Sequence, residues 1–220
     1  MKIRYNETKN NIVQQDTIKA LFPIPVYFSK LTRDFTKKEL DFVEKNKINP
    51  IKNEGNITSR NNYVLDSKPF AKLKKEIQLK VDSYFKEVIS PVDGITPYIT
   101  QSWLNYTETN QHHHLHSHPN SLVSGVFYFD CDEKFDKIKF HRNRSDVHTY
   151  IRWESKNWNV FNSEYWWFQL KTKDLIMFPS SLLHQVETKE GNNTRISLAF
   201  NVFIKGKIGK KYNLTELFLK

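Results

Sequence analysis

The sequence predicts a mainly β protein with a helical flank, an α+β chain, on three observations. Apolar residues recur at helical spacing before residue 90, the period changes to two from residue 97, and aromatic residues make up 14% of the chain. With 16 Phe, 10 Tyr and 5 Trp in 220 residues, the composition is that of a folded chain with one substantial core, burying roughly 70% of its unfolded surface.

The elements follow in order. Residues 1–20 are a polar lead-in, and "LFPIPVYFS" (21–29) is strand-like, its prolines suited to a sheet edge. In "DFTKKEL", Thr36 and Glu39 have capping-box spacing, with Phe35 and Leu40 placed as a hydrophobic staple, so a helix starts there and ends in the polar stretch 45–62. A longer helix is predicted over 69–89, where Phe70, Leu73, Ile77, Val81, Tyr84 and Val88 mark one face and lysines the solvated other. Strands are then predicted at 98–107, 122–130, 137–141, 165–170, 174–178, 184–188 and 194–204. One domain results: an N-terminal strand and supporting helices (1–96), a β core (97–204) and a C-terminal tail (205–220).

An irregular stretch, 142–163, interrupts the β core as an insertion. Arg152, Trp153 and Trp158, with Trp166 and Trp167 beyond it, suit either a lid over a substrate or a surface loop that buries its own aromatics.

Some function classes are disfavoured. No run of about 18 apolar residues or signal-type leader is present, so a soluble, cytoplasmic protein without membrane contact is expected. The lone cysteine, Cys131, excludes an intramolecular disulfide and fits a reducing compartment. The formal charge of +10 comes from lysines scattered along the chain, so no nucleic-acid partner is expected.

Chemistry is concentrated in "HHHLHSHPNS" (112–121), which holds five of the eight histidines. On an extended segment His116 and His118 point to one side, where two imidazoles can share a metal. A third ligand must come from elsewhere, and His184 after "FPSSLL" is the best candidate. His112, His113 and His114 read as solvated or supporting residues, and His141 and His148 as incidental. Asp174 reads as a turn residue. In "RISLAFNV", Arg195, Ser197, Ala199 and Asn201 share one face, which suits either the floor of an anion pocket or a solvated strand face.

The segments "LFPIPVY", "SWLNYTE", "HSHPNSLVSGVFYFD", "DLIMFPSSLLHQV" and "RISLAFNV", in this order over about 21–204, resemble the Fe(II)/2-oxoglutarate-dependent oxygenases. The nearest likeness is to the subgroup found in bacteria and phages, with prolyl-hydroxylase-like proteins more distant. The resemblance implies a double-stranded β-helix, a jelly-roll and cupin-like core, with Fe(II) and 2-oxoglutarate as cofactors and ascorbate as a conceivable reductant. It also implies hydroxylation of a peptide or small molecule, peptidyl proline among them, with succinate and CO2 released. Carried over by position, His116, His118 and His184 are the metal-binding and catalytic residues, and Arg195 pairs with the far carboxylate of 2-oxoglutarate. Tyr106 and Tyr128 are placed to assist that carboxylate, with Asn105 and Asn201 lining the pocket.

One departure stands out. The family's first motif is His-x-Asp, whereas here the third position is His118; neither His112 with His114 nor His114 with His116 supplies the aspartate. A neutral imidazole there leaves the metal one unit more positive. Two other readings stay open: a three-histidine cupin-type metalloenzyme that does not use 2-oxoglutarate, and a non-catalytic jelly-roll module that binds a peptide or sugar.

Overall fold

The computed structural model describes residues 20, 22–142 and 154–220. His148, Arg152 and Trp153 therefore lie outside the described residues.

Among the described residues, twelve strands and two α-helices are formed. The larger antiparallel sheet runs β1 (Tyr27–Lys30), β9 (Asp174–Pro179), β6 (Val123–Asp130), β11 (Arg195–Ile208), β4 (Thr96–Thr107), β3 (Ile57–Thr58) and β2 (Ile51–Lys52). Strand β12 (Leu217–Leu219) pairs with the far end of β11. The smaller sheet runs β5 (His113–His116), β10 (His184–Val186), β7 (Lys137–His141) and β8 (Tyr165–Gln169).

The period of two sorts residues between two cores. On β6, Phe127 and Phe129 face the helices while Tyr128 faces the smaller sheet; on β9, Leu175 and Met177 divide from Ile176 and Phe178 in the same way. These strands are buried on both faces, so they read as nearly continuous apolar runs. The jelly-roll core expected of the sequence is thus present, with the helices packed on the outer face of its larger sheet.

Helix α1 (Lys37–Lys47) starts at the predicted capping box: the Glu39 N–H donates to Thr36 Oγ1, and the Thr36 N–H to Glu39 Oε2. The expected staple is replaced. Phe35 packs on Phe127 and Phe129, and Leu40 is left exposed.

Helix α2 (Ala71–Tyr84) buries Leu73, Ile77, Val81 and Tyr84, with Phe70 in the 3-10 turn before it. It continues as a π turn over Phe85–Ile89. The wider turn rotates the sequence against the expected face, so Phe85 is buried and Val88 exposed. The polar stretch 45–62 holds an unpredicted hairpin, β2–β3, whose turn reaches the histidine segment. Asp174 serves its turn as expected, accepting the Lys171 N–H through Oδ2. No helix among the described residues is long and apolar enough to cross a membrane.

Candidate metal and keto-acid site

The two sheets place the histidines. His184 opens β10 and lies opposite His116 on β5 and Phe140 on β7; Phe140 in turn lies opposite Trp166 on β8. A single rung, His116, His184, Phe140, Trp166, therefore crosses the smaller sheet, and directly opposed residues share a face. His118 follows β5 in a turn held by its own N–H donating to Ser180 O at 2.9 Å.

The ligand atoms of His116, His118 and His184 lie within 4.8 Å of one another, and His118 Nε2 and His184 Nε2 are 3.3 Å apart. Backbone carbonyls orient two of the rings: His116 Nδ1 donates to His114 O at 2.8 Å and His184 Nδ1 to Leu182 O at 2.9 Å. With their protons on Nδ1, both rings turn the Nε2 lone pair inward, the arrangement that metal-binding histidines require. Two nitrogens each about 2.1 Å from a shared ion are themselves about 3.0–3.4 Å apart, so the 3.3 Å separation fits one metal between them.

Burial, then neighbouring histidines, favours the neutral rings. The His118 imidazolium is pushed down to about 4 and that of His184 to about 3, with His116 also lowered. The donor set thus suits a divalent transition metal.

Trp103, Asn105, Val126, Tyr128, Arg195 and Ser197 complete the cleft. Between the side chains is a cavity of about 30 Å³, ion-sized. Asn105 Oδ1 is buried there with no hydrogen-bond partner, a polar atom facing the cleft. Arg195 is 3% exposed, and its Nη1 donates to Asp136 Oδ1 at 3.2 Å.

Two of the expected residues fall elsewhere. Tyr106 is completely buried on the helix-facing side of β4, where its hydroxyl donates to Val43 O at 2.6 Å. Strand alternation sends Trp103, Asn105 and Thr107 to the cleft and Leu104 and Tyr106 away from it. Asn201 accepts from Ser124 Oγ at 2.9 Å, in a hydroxyl network with Ser180 and Ser121 beneath the His118 turn. It supports the turn and does not line the cleft.

Further residues surround the three histidines. His113 lines the cleft and stacks on His116 at 4.6 Å between ring centroids, so it is not solvated; burial pushes its imidazolium down to about 2. The β2–β3 turn clasps all three upstream histidines: His112 N donates to Gly55 O at 3.0 Å, Asn53 Nδ2 reaches His113 Nε2 at 3.5 Å, and His114 Nδ1 reaches Glu54 O at 3.4 Å. Trp103 packs beside His118 at 5.7 Å. Trp158, Trp166 and Trp167 are all substantially exposed.

Comparison with known proteins bears on this arrangement. The family model described as "Putative 2OG-Fe(II) oxygenase" matches residues 101–201, the span that contains every residue of the cleft. Residues 101–201 thus carry the match to the 2OG-Fe(II) oxygenases. The match is to enzymes, the 2-oxoglutarate-dependent non-haem iron oxygenases.

Solved structures of this oxygenase fold align over most of the chain. An oxidoreductase of the 2OG-Fe(II) oxygenase family from Burkholderia pseudomallei is 12% identical over 74% of this chain and 75% of its own, with a TM-score of 0.51. HygX from Streptomyces hygroscopicus, crystallised with nickel and 2-oxoglutarate, is 9% identical over 81% and 82%, with a TM-score of 0.55. SnoN, a non-heme alpha ketoglutarate dependent epimerase from nogalamycin biosynthesis, is 8% identical over 82% and 78%, with a TM-score of 0.55. At these identities the likeness is one of fold. No curated protein matches the chain.

Proposed function

We propose that this oxygenase hydroxylates its substrate with a metal held by His116, His118 and His184 and with 2-oxoglutarate anchored on Arg195. The convergence of three inward-facing imidazoles, two of them with Nδ1 fixed on backbone carbonyls, carries the reading. When bound, iron(II) and 2-oxoglutarate supply the oxidising power: dioxygen is consumed, one oxygen atom enters the substrate, and succinate and carbon dioxide leave.

The chain's own residues prepare this chemistry. His114 O and Leu182 O fix the rings, and Trp103 and Phe140 shield them from water on either side. Arg195 offers a planar fork to a carboxylate, with Ser197, Tyr128 and the unpaired Asn105 Oδ1 along the same wall. Trp166, half-exposed at the end of the histidine rung, stands where a substrate approaches the metal. Among the described residues none singles out peptidyl proline, and hydroxylation is the level at which the reading stands.

The test is 2-oxoglutarate turnover measured as succinate under Fe(II). Succinate formation in the wild type, abolished in His184→Ala and strongly reduced in Arg195→Met, is the expected result. Wild-type metal binding without any response to 2-oxoglutarate would favour the cupin-type alternative instead.

A further inference from the structure

Arg195 belongs to a buried group of three charges. Asp136 Oδ1 accepts from Arg195 Nη1 at 3.2 Å and lies 3.7 Å from Lys189 Nζ, with side-chain exposures of 3%, 1% and 0% for Arg195, Asp136 and Lys189. Asp136 and Lys189 are outside the cleft lining and have no part in the function proposed above.

Both are held by their surroundings. Asp136 Oδ2 accepts from the Asp132 N–H at 2.8 Å, and the Asp136 N–H donates to Asp132 O at 2.9 Å. Lys189 Nζ donates to Asn193 Oδ1 at 2.7 Å, and its backbone N–H donates to Gln111 O at 2.8 Å. The nearby Glu108 carboxylate is engaged by Lys47 at 2.8 Å and by the Thr194 hydroxyl at 2.8 Å.

Formal charges of +1 for Arg195, +1 for Lys189 and −1 for Asp136 sum to +1. Arg195 with Asp136 alone would be a neutral pair with little pull on an anion. Lys189 leaves the group with one positive charge in excess, and charges this deeply buried act over several ångströms with little screening. One carboxylate arriving at the guanidinium completes the balance.

We propose that Lys189, acting through Asp136, is a positioning residue that makes the Arg195 pocket selective for keto acids carrying a second carboxylate. This rests on the reading of Arg195 as the carboxylate anchor. The affinity for 2-oxoglutarate follows the formal charge of the buried group, whereas a keto acid of the same length without the second carboxylate is indifferent to it.

Calorimetric titration of the nickel-loaded full chain with 2-oxoglutarate and with 2-oxopentanoate tests this, each variant first checked by thermal melting. Lys189→Met, with a group charge of zero, is expected to bind 2-oxoglutarate about tenfold more weakly while 2-oxopentanoate binding stays unchanged. Lys189→Arg keeps wild-type affinity, and Asp136→Asn, at +2, binds 2-oxoglutarate at least as tightly as the wild type. The double variant Asp136→Asn, Lys189→Met restores +1 and recovers the affinity lost in Lys189→Met.

Wild-type 2-oxoglutarate affinity in Lys189→Met, or equal loss of both keto acids, would overturn the proposal. Should Lys189→Met not fold, weaker 2-oxoglutarate binding by Asp136→Asn than by the wild type overturns it just as well. Arg195→Met separates the two levels: if it binds 2-oxoglutarate like the wild type, the anchor itself is wrong. If Arg195→Met loses binding while Lys189→Met does not, only the role of Lys189 falls.

Discussion

His118 and His184, sixty-six residues apart in the chain, face each other with their Nε2 atoms 3.3 Å apart. The His118 ring makes no other hydrogen bond among the described residues, and the His184 ring only its Nδ1 bond to Leu182 O. His118→Ala and His184→Ala are each expected to lose at least about 100-fold in affinity for Fe(II) or nickel, a larger loss than outer-shell changes give. His118→Asp restores the carboxylate of the family's first motif and is expected to keep metal where His118→Ala does not. Metal titration of the three variants decides it, and loss of metal in His118→Asp equal to that in His118→Ala would remove His118 from the ligand set.

The two tyrosines, on the strands that flank β11, should separate stability from cosubstrate binding. Tyr106 donates to Val43 O and joins β4 to helix α1, so Tyr106→Phe leaves a buried carbonyl without its donor and costs about 1–2 kcal/mol. Its 2-oxoglutarate affinity should not change. Tyr128 lines the cleft near Arg195, where burial raises its phenol well above the ordinary range and keeps it protonated as a donor. Tyr128→Phe is expected to weaken 2-oxoglutarate binding with little effect on the melting temperature.

The contrast between these tyrosines also shows what the sequence carries and what it lacks. Alternation along "RISLAFNV" assigns Arg195, Ser197 and Ala199 to one face, and the structure turns that face to the cleft. The same alternation in "SWLNYTE" separates Asn105 from Tyr106 but cannot say which side is the cleft, because both faces of β4 are covered. Spacing of two brings His116 and His118 together, and the Thr36–Glu39 box is a local pattern that needs no tertiary context. Asp136 and Lys189 leave no local trace: each is an ordinary charged residue until the fold brings Arg195 and Lys189 together on Asp136. Strand β5 is equally silent, since a run of histidines has little strand preference and pairs only because β10 lies beside it.

The capping box yields a pH prediction. Burial would raise the Glu39 carboxyl, but hydrogen bonds from the Arg33 guanidinium, the Thr36 N–H and the Thr36 hydroxyl outweigh it and hold the group below its ordinary 4.5. A carboxyl lowered on folding stabilises the protein above its unfolded value, and that stabilisation disappears as the pH falls through the lowered value. Glu39→Gln should therefore melt lower than the wild type at pH 7, by roughly 4–8 °C for a loss of about 2 kcal/mol. The gap should narrow as the pH drops below about 4. Melting curves at both pH values check the sign, and a gap that widens in acid would contradict it.

Two glycines share φ +86 but not their surroundings. A Cβ on Gly94 would meet nothing within 4 Å, whereas one on Gly55 would lie 2.7 Å from both His112 Nε2 and His112 O. Gly94→Ala should cost only the left-handed backbone term, about 1 kcal/mol. Gly55→Ala adds a clash with backbone, and the hairpin turn can relieve it only by moving away from His112, which also pulls on the contacts of Asn53 with His113 and Glu54 with His114. Its expected loss is about 2–3 kcal/mol, with metal affinity weakened as the segment leading to His116 shifts. Denaturant midpoints and metal titration of the two variants side by side test this. Equal midpoints, with metal binding intact in Gly55→Ala, would show that the hairpin turn merely touches the histidine segment and does not hold it in place.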